Sequence, residues 1–294
     1  MIKRESERVI ISMTTWSKRI SNLPAVLNTI VNQTVRPDKI IINISEDEFV
    51  PQEILNYVES IDAELYSVPD TKVYKKLIPT LYRYPHDCII TIDDDWLYPD
   101  DMVSLLMETH MRYPDFPVSG NCAVKHRLQC HCGCASLVKA CFFGSYIDCI
   151  DSEVMSKCPS DDIVYTYMAY KSGHPYIRTI EPLFSKLIPY NNENSYSSAS
   201  VDGGGIENSY QYLVARFGDI DLSTIYYNYV SDSYFLSLLS DIHNKSIEDA
   251  KEIGRLFGRE EIINSKRYRV GDTLFKPIIT TNQLLNSIFR KRKE

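Results

Sequence analysis

Four short apolar runs, each followed by a segment with helical periodicity, constrain this chain more than any other feature. Residues 9–12 (VIIS), 39–45 (KIIINIS), 63–68 and 88–92 (CIITI) read as strands. After the first, Leu23, Val26, Leu27, Ile30 and Val31 recur at helical spacing, with Asn22 expected as cap and Pro24 in the opening turn. Helices are expected over 51–60, with Ile54, Leu55 and Val58 inward, over 72–84, limited by Pro79, and over 99–112, with Val103, Leu106 and Met107 on the core face. Such alternation predicts a parallel sheet covered on both faces, with ligands bound beyond the carboxyl ends of its strands.

The second half is less regular. We expect a strand over 137–143, a helix from Ser160 to Tyr170 ending near Gly173, and an extended stretch over 176–180. The polar, glycine-rich run 191–205 reads as a lid loop, followed by a helix over 206–217 and a mainly helical remainder after about 220.

Composition excludes several classes. With 294 residues, 44% hydrophobic and 24% charged, the chain is neither disordered nor fibrous. No stretch approaches the roughly 20 apolar residues of a membrane-spanning helix. The charged start, MIKRESERVI, is not followed by the apolar run of a secretory signal. Eight cysteines, seven of them between Cys122 and Cys158, are therefore expected as reduced thiols. Cys130, Cys132 and Cys134 lie near His126 and His131, but no C-x₂-C pair supports a zinc knuckle. His86, His110, His174 and His243 read as surface or core side chains. The net charge of −7 is split between a +6 segment at 255–294 and a body of −13, which argues against a nucleic-acid-binding body.

Three places carry candidate chemistry. Thr14-Thr15 follow the first strand, Glu46-Asp47 the second, and Asp93-Asp94-Asp95 the fourth. Three adjacent carboxylates at a buried strand end repel one another, and Mg²⁺ or Mn²⁺ would remove that cost; a solvated acidic turn before Pro99 would have the same letters. Asp161-Asp162 follow Ser160 and suit either a capped helix start or a catalytic carboxylate pair. No GxGxxG or GxxxxGK[ST] follows any strand, which disfavours a dinucleotide-binding Rossmann enzyme and a P-loop NTPase.

Taken together, VIISMTTWSKRI, NTIVNQTVRPDKIIINIS, KKLIP, IITIDDDWLYPDDM and SDDIV resemble bacterial glycosyltransferases of the GT-A fold over roughly residues 8–218. More narrowly they are similar to family-2-type enzymes that build capsular and O-antigen polysaccharides. The resemblance implies an open, mostly parallel α/β sheet flanked by helices, with a nucleotide-sugar and acceptor-binding domain over 1–218 and a helical C-terminal extension over 219–294. It implies that Asp93–Asp95 form a DXD motif, with Asp95 and Asp93 on Mn²⁺ or Mg²⁺ and Asp94 assisting. Thr14 and Thr15 would lie at the base and ribose, Glu46 and Asp47 against the base, Asp93 at the ribose as well as the metal, Lys75 or Lys76 at the diphosphate or base, and Trp96 at the sugar pocket or in the core. Asp162, or alternatively Asp161, would be the base of an inverting transfer from a nucleotide-diphosphate sugar, with UDP-sugars the expected donors, to a saccharide hydroxyl. A sugar-phosphate nucleotidyltransferase and a non-catalytic saccharide-binding scaffold are the alternatives.

The tail ends in Leu284, Leu285, Ile288 and Phe289 at helical spacing, then RKRK. A helix packed on the body would explain it. So would attachment of 283–294 to an anionic membrane surface near a lipid-linked acceptor, which places the protein in the cytoplasm on the inner face of the plasma membrane.

Overall fold

The computed structural model describes residues 7–125, 128–131, 134–179, 181, 183–191, 205–221 and 225. The chain divides into two compact units, Met1–Ala123 with Cys130–Ile220, and Val124–Gln129 with Asp221–Glu294. The lid expected at 191–205, apart from its two end residues, lies outside the described residues, as do the basic tail, His126, Cys132 and His243.

The first unit is built on β1 (Val9–Thr14), β2 (Lys39–Ser45), β3 (Glu64–Val68) and β4 (Cys88–Ile92). These four are mutually parallel, with β1 between β2 and β4: Ile11 pairs with Ile40 on one side and Ile90 on the other. Val9, Ile10, Ile11, Ile41, Ile42, Ile89 and Ile90 are wholly buried, as expected of strands covered on both faces, which is why they read as unbroken apolar runs. The carboxyl ends of all four strands share one edge of the sheet.

Beyond β4 the pattern changes. β5 (Trp96–Leu97) leaves the sheet, and β6 (Val118–Ser119) joins it further out. β7 (Cys122–Lys125) and β8 (Leu128–His131) form a two-stranded ribbon, and β9 (Ala135–Val138) runs antiparallel to both β4 and β6. β10 (Ile177–Arg178) pairs parallel with β6, giving the order β10-β6-β9-β4-β1-β2-β3. β11 (Ile188–Pro189) pairs antiparallel with β5. The expected mostly parallel α/β sheet is therefore present, with one antiparallel strand inserted at β9.

Helices α1 (Leu23–Val31), α2 (Gln52–Ser60), α3 (Ile78–Arg83), α4 (Met102–Arg112), α5 (Ser152–Lys157), α6 (Asp161–Lys171) and α7 (Gly205–Phe217) cover the first unit. Several expectations need correction. A 3₁₀ turn over Ile20–Asn22 runs directly into α1, so Asn22 has helical backbone angles and caps nothing through its side chain. Leu55 is exposed because Ile54 and Val58, four apart, define the buried face of α2. Residues 72–84 divide into a 3₁₀ turn (Lys72–Lys76) and α3, with Pro79 in the first turn of α3 where its missing N–H costs nothing. The apolar run at 137–143 is two elements: β9 stops at Val138, and a second 3₁₀ turn (Ala140–Phe142) buries Phe142 and Phe143. Ser160 precedes α6 without capping it through its hydroxyl. Gly173, at φ +88°, supplies the left-handed residue that closes α6.

Polar side chains inside the sheet aim one segment at the strand ends. The Ser12 hydroxyl lies 2.6 Å from the Lys76 carbonyl and 2.7 Å from Thr80 Oγ1, and Asn43 reaches Thr80 at 2.9 Å. On the other side, the Tyr74 hydroxyl donates to the Cys158 carbonyl at 2.6 Å, and its ring meets Tyr165 edge-on at 5.9 Å. The Lys72–Lys76 turn is thereby held between the sheet and α6.

Candidate active site

That clamp decides where Lys76 points. Its ammonium donates to Asp93 Oδ1 at 2.9 Å and lies 3.2 Å from Asp161 Oδ2. It therefore bridges the acid at the tip of β4 and the acid that opens α6. Burial works against its charge, but Asp161 and Asp93 outweigh that and raise its pKa well above the ordinary lysine value. Asp93 is set from its other side too: its Oδ2 accepts the Cys134 N–H at 3.0 Å, and its own N–H donates to the Tyr98 hydroxyl at 2.8 Å. Burial would push the Asp93 carboxyl up, yet Lys76 prevails and its pKa is lowered.

Asp94 faces the opposite way. Thr15 donates to its Oδ2 at 2.6 Å, Arg19 pairs with its Oδ1, and Asn22 donates to its carbonyl at 3.0 Å. Arg19 is buried and also lies 3.0 Å from Asp95 Oδ2. Burial raises the pKa of Asp94 to about 6, with Arg19 opposing, and raises that of Asp95, with Asp93 adding repulsion.

The second acidic pair divides in a similar way. Asp161 is buried, with 8% of its side chain accessible, whereas Asp162 retains 28%. Burial brings Asp161 to about 6 despite Lys76. His131 Nε2 lies 3.3 Å from Asp162 Oδ1, Ser119 Oγ lies 2.8 Å from Nδ1, and the ring stacks on Tyr176 at 5.7 Å. Burial, aided by Lys76, lowers the His131 pKa to about 4, so the imidazole is neutral near pH 7.

Several expected donor-site residues have internal partners. The Thr14 hydroxyl donates to the Asn43 carbonyl at 2.7 Å, and the Thr15 hydroxyl is taken by Asp94. Lys75 pairs with Asp70 at 2.6 Å and with Ser45, leaving Lys76 as the lysine at the acid cluster. Asp47 is exposed beyond β2, and Trp96 is half-buried against Phe184 at 5.9 Å. Arg19, Tyr98 and His131 belong to the cluster but were not expected there. Arg19 had a signal, as a cation in the polar loop after β1, the strand adjacent to β4. His131 had none, because β8 and α6 approach each other only in the fold.

Asp93, Asp94, Asp95, Asp161 and Asp162 thus face two cations, Arg19 and Lys76, and a neutral imidazole. The excess is negative, and the donors are hard oxygens. The chemistry of this donor set fits a divalent cation, for which Asp93 and Asp95 would be the ligands. Among the described residues, the acidic cluster brings no three acidic, histidine or cysteine ligand atoms within 4.8 Å of one another. Substrate phosphates and water would supply the rest, the usual coordination of Mg²⁺.

No family model and no curated protein matches this sequence. Solved structures do. A mannosyltransferase from Pyrobaculum calidifontis, in complex with GDP-Man and Mn²⁺, is similar over 98% of this chain and 89% of its own, with TM-score 0.51 and 12% identity. A cytidylyltransferase from Leptospira borgpetersenii serovar Hardjo-bovis matches over 73% and 96% at TM-score 0.43 and 9% identity. A 4-diphosphocytidyl-2C-methyl-D-erythritol synthase from Anaerococcus prevotii matches over 70% and 96% at 0.43 and 11%. The likeness to the mannosyltransferase, at its 12% identity, establishes the fold alone, which is GT-A-like: an open, mostly parallel sheet whose acidic strand end lies at its carboxyl edge.

Proposed function

We propose that the chain is a metal-dependent, inverting glycosyltransferase acting on a nucleotide-diphosphate sugar. The observation that carries this reading is the bridge Asp93–Lys76–Asp161, which joins the acidic end of β4 to the acidic start of α6 in one buried cluster. A structural helix cap would need neither the burial of Asp161 nor the lysine between the two sites. The GDP-Man and Mn²⁺ bound by the Pyrobaculum neighbour agree with this chemistry.

Each residue then has a task. Asp93 and Asp95 would hold the cation, which when bound offsets the charge developing on the leaving diphosphate. Arg19 and Thr15 fix Asp94, and through it the backbone that presents both ligands. Lys76 keeps Asp93 ionised and balances Asp161. Asp162, the more accessible of its pair, takes the proton from the acceptor hydroxyl as that oxygen attacks the anomeric carbon. The new glycosidic C–O bond forms as the bond to the β-phosphate oxygen breaks, and the nucleoside diphosphate leaves with the electron pair. The neutral imidazole of His131, with Nε2 3.3 Å from Asp162 Oδ1, packs against that carboxylate and helps position it without neutralising it.

Saccharides of a growing cell-surface polysaccharide, such as a capsule or O-antigen, are the acceptors proposed here, with residues 283–294 attaching the protein to an anionic membrane that carries them. No helix among the described residues is long and apolar enough to cross a membrane. The test is donor turnover across a panel of UDP-, GDP-, CDP- and TDP-sugars with and without Mn²⁺. Metal-dependent release of a nucleoside diphosphate from one of them supports the reading. Pyrophosphate release from a nucleoside triphosphate and a sugar phosphate instead would make the protein a nucleotidyltransferase.

A further inference from the structure

At the opposite end of β4 a different set of ligands converges. Cys88 opens that strand, Glu7 precedes β1, and His110 lies in the last turn of α4. Glu7 Oε2 is 3.1 Å from His110 Nε2 and 3.4 Å from Cys88 Sγ, and the three atoms all lie within 4.8 Å of one another. A tetrahedral zinc, with bonds of about 2.0 Å to N and O and 2.3 Å to S, holds its ligand atoms roughly 3.3–3.5 Å apart. Both observed separations are close to those edges. We propose that Glu7, Cys88 and His110 form a site for a borderline-soft divalent ion, Zn²⁺ in the first instance, separate from the acidic cluster.

The surroundings support it. Cys88 and His110 are buried, at 0% and 2% exposure, while the Glu7 side chain is 42% exposed and leaves a path for the ion and a water as fourth ligand. Lys139 pairs with Glu7 Oε1, so the second carboxylate oxygen is already held and Oε2 stays turned to the thiol and imidazole. The ring of Phe142 meets His110 edge-on at 6.2 Å and fixes its plane. One thiol, one imidazole and one carboxylate select a zinc-like ion over Mg²⁺, the reverse of the all-oxygen set at the other end of the strand. On binding, the thiol gives up its proton to solvent and becomes the thiolate ligand. The ion would tie the segment before β1 to β4 and α4, about 16 Å along the strand from Asp93 at 3.3 Å per residue.

The experiment is a Co²⁺ titration of the full-length, metal-stripped protein. The expected result is a near-ultraviolet thiolate-to-cobalt charge-transfer band that saturates at one equivalent, displacement of that Co²⁺ by Zn²⁺, and a higher melting temperature with Zn²⁺. Cys88→Ser should lose the band. His110→Gln, which keeps a group able to bond Glu7, and Glu7→Gln should weaken Co²⁺ binding at least about tenfold, and Asp95→Asn should leave it unchanged. Absence of the band in the wild-type protein overturns the proposal. So does an undiminished band in Cys88→Ser, since ligation would then come from the cysteines between 122 and 158, or, where the serine variant fails to fold, an undiminished Co²⁺ affinity in His110→Gln, since the imidazole would then not be a ligand. Neither result bears on the glycosyltransferase reading.

Discussion

The two ends of β4 differ in kind. At the carboxyl end, five carboxylates gather around Lys76 and Arg19, and burial holds Asp94 and Asp161 at about 6. At the amino end, one carboxylate meets one thiol and one imidazole, and Lys139 already balances its charge. The first end carries an electrostatic excess that no side chain of the cluster offsets, and the second is close to neutral. A divalent cation with a phosphorylated ligand would relieve the carboxyl end, whereas at the amino end the hydrogen bonds suffice for folding.

The sharpest break in this contrast comes from the acids. Asp95→Asn should lower sugar transfer at least about 10³-fold, and Asp93→Asn similarly, because stabilisation of the leaving diphosphate is lost. Arg19 keeps Asp94 as partner in the first variant, and Lys76 keeps Asp161 in the second, so circular dichroism should stay native. Activity of the double variant in chelator would refute the metal assignment.

Asp162→Asn tests the base. A fall in kcat of roughly 10²–10⁴ with unchanged donor affinity is expected. The same loss in Asp161→Asn but not in Asp162→Asn would exchange their roles. If both variants only lower the melting temperature, the pair is a helix start and nothing more.

Lys76→Met separates architecture from chemistry. It leaves Asp93 and Asp161 buried without their shared cation, and urea unfolding should show a loss of about 3–5 kcal/mol. A stable protein would mean that the two acids are not coupled through the lysine.

The smallest effect concerns His131. His131→Gln should lower kcat about tenfold through a less well oriented Asp162. It should also change acid stability. The native imidazole takes its proton near pH 4, whereas the unfolded one does so near 6.5, so the unfolded chain gains protons first as pH falls. Stability conferred by the neutral ring is complete above about 6.5 and is lost toward about 4. The variant should therefore lose less stability than wild type across that window; equal losses would show that the ring is not held neutral.

Much of this was legible in the letters where burial was two-sided. β1, β2 and β4 announce themselves because both faces are covered and most positions are apolar, so the Asp triplet could be placed at a strand end. The second half was harder for a physical reason: its strands are two to four residues long, and their apolar letters run on into turns, as at Val138 and Phe142. Asn22 has the letter of a cap, but the preceding 3₁₀ turn frees its amide for Asp94. Lys75 and Lys76 could not be told apart, since only the Ser12 and Tyr74 contacts decide which one faces Asp93. His131 and Asp162 lie thirty-one positions apart, and no periodicity connects β8 to α6.

The most direct measurement is the anomeric configuration of the product, followed by proton NMR with whichever nucleotide sugar the protein consumes. A single carboxylate base that deprotonates the acceptor predicts one displacement: the product's anomeric centre is inverted relative to the donor, and Asp162→Asn forms little product while binding the donor normally. Retention of configuration, or full turnover by Asp162→Asn, would contradict the account.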